Sequence, residues 1–328
     1  MSLDADIIVD RRRMRRKLTM WRVLAVLLAI CAVVAIGVAV RAPGTSAITG
    51  ASAGSIARVT ITGLIRTDRQ RVEALERLAK SRAKAVIVHI NSPGGTTAGS
   101  EELYDSLTRL REEKPTVVVV DGLAASGGYI AALAADRIVA QETSLVGSIG
   151  VLFQYPNFTD LLKTIGVSVE TIKSSPLKAA PSGFEPTSPE ARAAVEAVVM
   201  DSYAWFKDLV QKRRGLDDAT LAKVADGRVF TGRQGLALEL VDELGGEKAA
   251  VAWLAKTKNI DPKTPVRDYR LRDRFRDLPF LHTMAIAVLD AAGFGPFARR
   301  LEGLGAVQAI ERLNLDGLLA LWHPPSAN

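Results

Sequence analysis

The chain has 328 residues, of which 24% are charged, with a formal net charge of +7. That length holds one or two domains around a sizeable core, and the charge content is that of a folded chain rather than a disordered one. Aromatic side chains are 5% and scattered, which leaves no base-stacking platform, and the basic cluster Arg11, Arg12, Arg13, Arg15, Arg16 and Lys17 precedes an apolar stretch rather than following a groove, so no nucleic-acid partner is expected.

Val23 to Val40 is an unbroken apolar run of 18 residues, closed by Arg41-Ala-Pro43. As a helix it covers ~27 Å, enough to span a bilayer core. The basic cluster ahead of it and the lone Arg41 behind it put residues 1–22 in the cytoplasm and the rest of the chain outside. A cleaved signal peptide is the alternative. Ala51-Ser-Ala53 has the small-x-small look of a cleavage site, but it lies well beyond the apolar run, which is itself long for such a leader. The expectation is an uncleaved signal anchor over 23–40. Cys31, the chain's single cysteine, falls inside it and excludes an intramolecular disulfide.

Residues 41–55 are a Gly/Ala/Ser/Thr linker. Ile56–Thr62 alternates with period two and predicts a strand, and Asp68 opens a helix with Val72, Leu75, Leu78 and Ala79 on one face. Ala85–Ile90 reads as a buried strand ending in the turn-rich loop Asn91-Ser-Pro-Gly-Gly-Thr-Thr97, followed by a helix around Glu101–Glu113. Thr116–Val120 is a further buried strand, and Tyr129–Ala135 a tightly packed helix. Beyond Arg137–Ala140 and Gly147-Ser-Ile-Gly150, a helix is expected near Asn157–Ile165, a strand over Val167–Lys173, a polar loop over 174–189 and a long amphipathic helix over 190–214. Strands alternating with helices predict an α/β core with a largely parallel sheet. No stretch repeats.

The chemistry centres on Asp121-Gly-Leu-Ala-Ala-Ser126-Gly-Gly-Tyr-Ile130. A serine between a buried strand and a helix start sits where first-turn N–H groups stabilise negative charge, and Gly127 and Gly128 allow close backbone approach. The same residues also read as a serine N-cap followed by packing glycines. Asn91-Ser92-Pro93-Gly94-Gly95 follows another buried strand, where ligands bind in open α/β sheets. Its glycines either turn free N–H groups toward an oxyanion or simply make a tight turn. The three histidines are His89, inside a strand, and His282 and His323 in the tail, so a Ser-His-Asp arrangement is not expected. A neutral lysine can serve as the base instead. Lys178, in Ser174-Ser-Pro-Leu-Lys-Ala-Ala-Pro181, stands among apolar neighbours in an otherwise polar loop, although surface lysines occur in such loops too. Ser148 is placed either to hold that amine or merely to turn the chain.

Leu123-Ala-Ala-Ser-Gly-Gly-Tyr129, Asn91-Ser-Pro-Gly-Gly95, Leu145-Val-Gly-Ser-Ile-Gly-Val151 and Asp226–Gly246 together resemble the signal peptide peptidase A (protease IV) family, over roughly residues 56–257. The resemblance implies a crotonase/Clp-protease-like fold and a membrane-anchored serine endopeptidase with a Ser-Lys dyad. It makes Ser126 the nucleophile and Lys178 the general base, with Lys173 as the competing lysine. Gly94 and Gly95 become the oxyanion hole, and Ser148 the residue that positions the lysine amine. It further implies cleaved signal peptides as substrates, a ring- or dome-shaped homo-oligomer whose neighbouring subunits complete the groove, a catalytic domain outside the cytoplasmic membrane, and neither cofactor nor metal. Ala179 and Ala180 follow Lys178 where the family commonly carries Asp or a similar polar residue. Residues 258–328 extend past the match and have no assigned role. The rival readings are a related Ser-Lys peptidase that cuts a membrane-protein partner, a catalytically silent assembly factor, and an acyl-CoA enzyme of the crotonase type.

Overall fold

Strands leave one end of a mostly parallel sheet into the loops that matter for function. The computed structural model describes residues 54–271 and the backbone of 319–321, so the apolar run 23–40, His282 and His323 lie outside the described residues. Among the described residues no helix is long and apolar enough to cross a membrane.

The chain runs β1 (Ile56–Thr62), α1 (Arg69–Ala79), β2 (Ala85–Ser92), β3 (Gly94–Thr96), α2 (Thr97–Glu113), β4 (Thr116–Ala125), α3 (Gly127–Ala132), β5 (Arg137–Ala140), β6 (Leu145–Gly147) and α4 (Thr159–Thr164). It continues with α5 (Pro189–Arg214), α6 (Asp218–Val224), β7 (Val229–Thr231), α7 (Gly232–Ala237), β8 (Glu243–Leu244), α8 (Glu247–Lys258), β9 (Val266–Asp268) and β10 (Leu319–Leu321). The main sheet is ordered β7-β6-β4-β2-β1-β9, and β5 pairs with β4 and β8. Its pairings are parallel except β6 with β7. A second, two-stranded sheet pairs β3 with β10.

Sequence chemistry explains the element ends. Asp68 caps α1 by accepting from the Gln70 and Arg71 amides. Ser188 caps α5 ahead of Pro189, and Gly215 closes it in the left-handed conformation. The sheet is covered on both faces, which is why its central strands read as unbroken apolar runs. Val86, Val88, Ile90, Val118 and Val120 join Leu75, Leu103, Leu107 and Ile130 in one layer, while Ile87, Val117, Val119 and Val139 pack with Ala250 and Leu254 of α8 in the other. Each such fully buried aliphatic side chain contributes about 1.5–3 kcal/mol.

Two expectations need correction. The loop expected over 91–97 is partly regular: β2 runs on to Ser92, and Gly94–Thr96 forms β3. Pairing with distant backbone overrides its turn-rich composition. The strand expected over Val167–Lys173 does not form. Val167 and Val169 are each 46% exposed and Ile172 is fully exposed, so this β-branched stretch has no edge to pair with and no core to enter. Beyond the expected domain end at 257, β9 adds to the sheet edge alongside β1, and the Tyr269 hydroxyl donates to the Ala74 carbonyl at 3.1 Å.

Candidate active site

The order β6-β4-β2 sets three parallel strands side by side, and the loops leaving their carboxyl ends are 147–150, 126–128 and 92–95. Ser126 is in the middle one, directly after β4, and is 1% exposed. Its φ of 54° and ψ of −117° are rare for a residue with a Cβ and cost about 1–3 kcal/mol. The surroundings hold it there. Its N–H donates to the Gly147 carbonyl at 2.7 Å, and its own carbonyl accepts from the Tyr129 and Ile130 amides at 2.9 and 3.0 Å. Ser126 occupies the N-cap position of α3, yet its side chain makes no capping hydrogen bond. The hydroxyl reaches the Gly150 carbonyl only at 3.5 Å, a length that leaves it weakly held. A strained strand-to-helix turn with an uncommitted hydroxyl is what a nucleophile needs and what a capping serine lacks.

The glycine loop lies against this turn. A Cβ at Gly128 would stand 2.7 Å from the Ser92 carbonyl oxygen, so the two backbones touch and only glycine fits. Ser92 is fully buried; its Oγ donates to the Gly63 carbonyl at 2.7 Å and accepts from the Gly94 N–H at 3.1 Å. The Gly94 donor is thereby committed. Ile65 N–H donates to the Gly94 carbonyl and Thr96 N–H to the Ile65 carbonyl, both at 2.9 Å. Successive residues of an extended strand point to opposite edges, so the Gly95 N–H and C=O face away from Ile65. Of the two glycines expected in an oxyanion role, Gly95 therefore keeps an available donor. A Cβ on Gly95 would lie 1.7 Å from the Ile65 carbonyl oxygen, which makes glycine obligatory there. Gly127 is a further donor that the sequence reading did not name. As the first residue of α3 its N–H has no acceptor within the helix, and the strand–serine–helix junction was the signal for it.

Ser148 falls in the third loop, between Gly147 and Gly150, which both bond to Ser126. It is 7% exposed, has φ 53°, and its N–H donates to the Arg228 carbonyl at 2.8 Å. A cleft of about 330 Å³ opens beside this loop, lined by Ile149, Gly150, Val151, Val199, Met200 and Tyr203 among others.

The lysines stand apart. Lys178 is exposed, and its N–H donates to the Ser175 carbonyl at 3.1 Å. Among the described residues no hydrogen bond joins its amine to Ser126 or Ser148. Lys173 is engaged instead by Glu185, whose carboxyl it holds below the usual carboxylate range. His89 bonds Asp121 at 2.8 Å and Glu247 at 3.0 Å, not the serine. The Arg58 guanidinium grips Glu247 at 2.6 and 2.7 Å and depresses that carboxyl, with burial opposing and His89 assisting. Among the described residues no cluster of three or more His, Cys, Asp or Glu side chains is placed to hold a metal ion.

The family model described as Peptidase family S49 matches residues 108–261, and that described as Clp protease matches residues 59–145. A protease-named protein of Synechocystis sp. is 37% identical over 209 residues, which are 63% of this chain and 76% of that one. This chain belongs to peptidase family S49. A protein of Enterococcus faecium named signal peptide peptidase SppA is 32% identical over 58% of this chain and 56% of its own. The chloroplastic serine protease SPPA of Arabidopsis thaliana is 33% identical over 63% of this chain and 32% of its own, so much of these two relatives has no counterpart in the match. The S49 protein is a serine peptidase of the signal peptide peptidase A family, and an α/β sheet with mostly parallel strands carries it.

Proposed function

We propose that this S49 peptidase is a membrane-anchored endopeptidase in which Ser126 attacks the scissile carbonyl and Lys178 is the general base. The observation that carries the reading is the convergence of a strained, uncapped serine with the Gly95 and Gly127 amides at the ends of neighbouring parallel strands. In the reaction the neutral Lys178 amine takes the Ser126 proton as the Oγ–C bond forms. The carbonyl oxygen becomes an oxyanion that accepts from Gly95 and Gly127. As the C–N bond breaks, the lysine returns the proton to the leaving amine. Water then attacks the acyl-enzyme, with the same amine taking its proton. Each oxyanion donor contributes about 3–4 kcal/mol to such a step.

A lysine near its ordinary value of about 10.4 needs about 4–5 kcal/mol from its surroundings to be half neutral at pH 7. Exposed as it is, Lys178 lacks that desolvation within one chain. Among the described residues, eleven of the twelve exposed large apolar side chains lie between Phe153 and Met200, the segment that carries Lys178. A second copy of the chain covering this face would bury the lysine and bring it to a serine, and a ring or dome of subunits follows from that pairing. With residues 23–40 as the anchor, the site stands outside the cytoplasmic membrane, where apolar signal-peptide remnants are its substrates and the cleft beside Gly150 receives an apolar side chain.

The test is labelling of the full chain by a serine-directed fluorophosphonate, paired with hydrolysis of a signal-like peptide. Labelling is expected to vanish in Ser126→Ala, and hydrolysis to fall by ~10³-fold in Lys178→Ala. Labelling that survives in Ser126→Ala places the nucleophile elsewhere. Unchanged hydrolysis in Lys178→Ala transfers the base to another group, with Lys173 the first to examine.

A further inference from the structure

The outer edge of β3 is already occupied. Leu319–Leu321 pairs antiparallel with Gly94–Thr96, in the register Leu319 to Thr96, Ala320 to Gly95 and Leu321 to Gly94. The inner edge of β3 is taken by Ile65. Because the Gly94 carbonyl and the Thr96 amide point at Ile65, the Gly95 N–H and C=O face β10, which makes Gly95 and Ala320 the pair that exchanges both hydrogen bonds. The Ala320 carbonyl therefore accepts from the N–H assigned above to the oxyanion. Extended peptides add to an exposed strand edge in this way, with main-chain hydrogen bonds supplying the affinity.

We infer that residues 319–321 are an intramolecular occupant of the peptide-binding edge, so that the carboxy-terminal segment of this chain competes with substrate and must leave before a peptide can be cut. The inference rests on the assignment of Gly95 and Ser126 to the catalytic site. The segment Leu318-Leu-Ala-Leu-Trp322 is itself apolar with a small residue at its centre, a composition close to that of the apolar peptides the site is proposed to take. A tethered strand acts at an effective concentration on the order of millimolar, so even modest pairing excludes a free peptide of similar affinity.

The experiment measures binding, not turnover. Full-length chain carrying Ser126→Ala, which cannot cleave, is titrated into a fluorescent peptide copying Asp316–Pro324, and anisotropy gives the apparent Kd. Adding Ala320→Pro deletes the N–H that the Gly95 carbonyl accepts, whereas Leu321→Pro deletes one that faces away from β3. The expected result is probe binding about tenfold or more tighter in the Ala320→Pro chain than in its parent, with Leu321→Pro much closer to the parent. Equal binding in all three chains, or no binding to any, overturns the inference. The same tail substitutions in the chain with Ser126 intact are then assayed for peptide hydrolysis. A binding shift without hydrolysis or fluorophosphonate labelling in any chain overturns the catalytic assignment and upholds the tail as occupant. Hydrolysis and labelling without a binding shift do the reverse.

Discussion

The serine and the lysine of this peptidase sit in opposite kinds of structure. From Ala124 to Ala135 every residue is buried, whereas from Val151 to Glu190 none is. In the first region a residue in a strained conformation is held by backbone bonds and by touching glycines, so the nucleophile is set within one chain. In the second, apolar side chains face outward and Lys178 bonds to the rest of the molecule only through its local turn. A rigid half that binds charge and an open half that brings the base divide the work. Substitutions in the first should disturb both folding and chemistry, and those in the second chemistry and assembly only.

The largest expected effect tests the rigid half. Ser126→Ala should lower peptide hydrolysis by ~10⁵-fold while melting at or above the parent temperature, because alanine loses the nucleophile without adding bulk. A residual rate near the parent's would remove Ser126 from the chemistry. Next comes the open half, where Lys178→Ala should cost ~10³-fold in kcat with thermal stability within about 0.5 kcal/mol. A drop in melting temperature of several degrees would show that the lysine is structural and break the contrast.

Gly95→Ala sharpens it from the other side. Its Cβ would strike the Ile65 carbonyl, so kcat should fall by about 10²–10³-fold as the Gly95 donor is displaced, together with a loss of stability that Lys178→Ala does not share. Tyr129→Phe probes the buried half alone. The Tyr129 hydroxyl donates to the Leu240 carbonyl at 2.8 Å, and leaving that carbonyl unpaired should cost about 1–3 kcal/mol in urea unfolding. The smallest effect is electrostatic. Glu247 is held below the usual carboxylate range chiefly by Arg58, so its contribution to stability is present above a pH of about 4.3 and is lost as pH falls through the depressed folded value. Arg58→Met should flatten the stability profile of the parent across that acid range, and an unchanged profile would show that the pair contributes nothing.

Much of the sheet was legible because its residues answer to local rules. Ile56–Thr62 alternates, Thr116–Val120 is β-branched without interruption, and Asp68 and Ser188 announce helix starts with their own side chains. The expected strand over Val167–Lys173 failed for a reason that local pattern cannot contain: a strand needs an edge to pair with, and none reaches it. Gly94–Thr96 failed in the opposite direction, since glycine and proline argued for a loop while Ile65 and residues 319–321 supplied two edges. The choice between Gly94 and Gly95 was likewise out of reach, because it depends on the Ser92 hydroxyl claiming one donor and on the direction in which the other points.

By itself, the sequence determined the identities: a serine at a strand–helix junction, paired glycines after a second strand, a lysine in a polar loop, and a family whose motifs come in this order. Those follow from residue type and spacing along one chain. The tertiary structure decided which groups meet. It set the conformation of Ser126, made Gly95 the available donor, left Lys178 away from the serine, and laid residues 319–321 along the edge of β3. Each of these depends on backbone brought together from distant parts of the chain, and the geometry of such contacts is written in no local stretch.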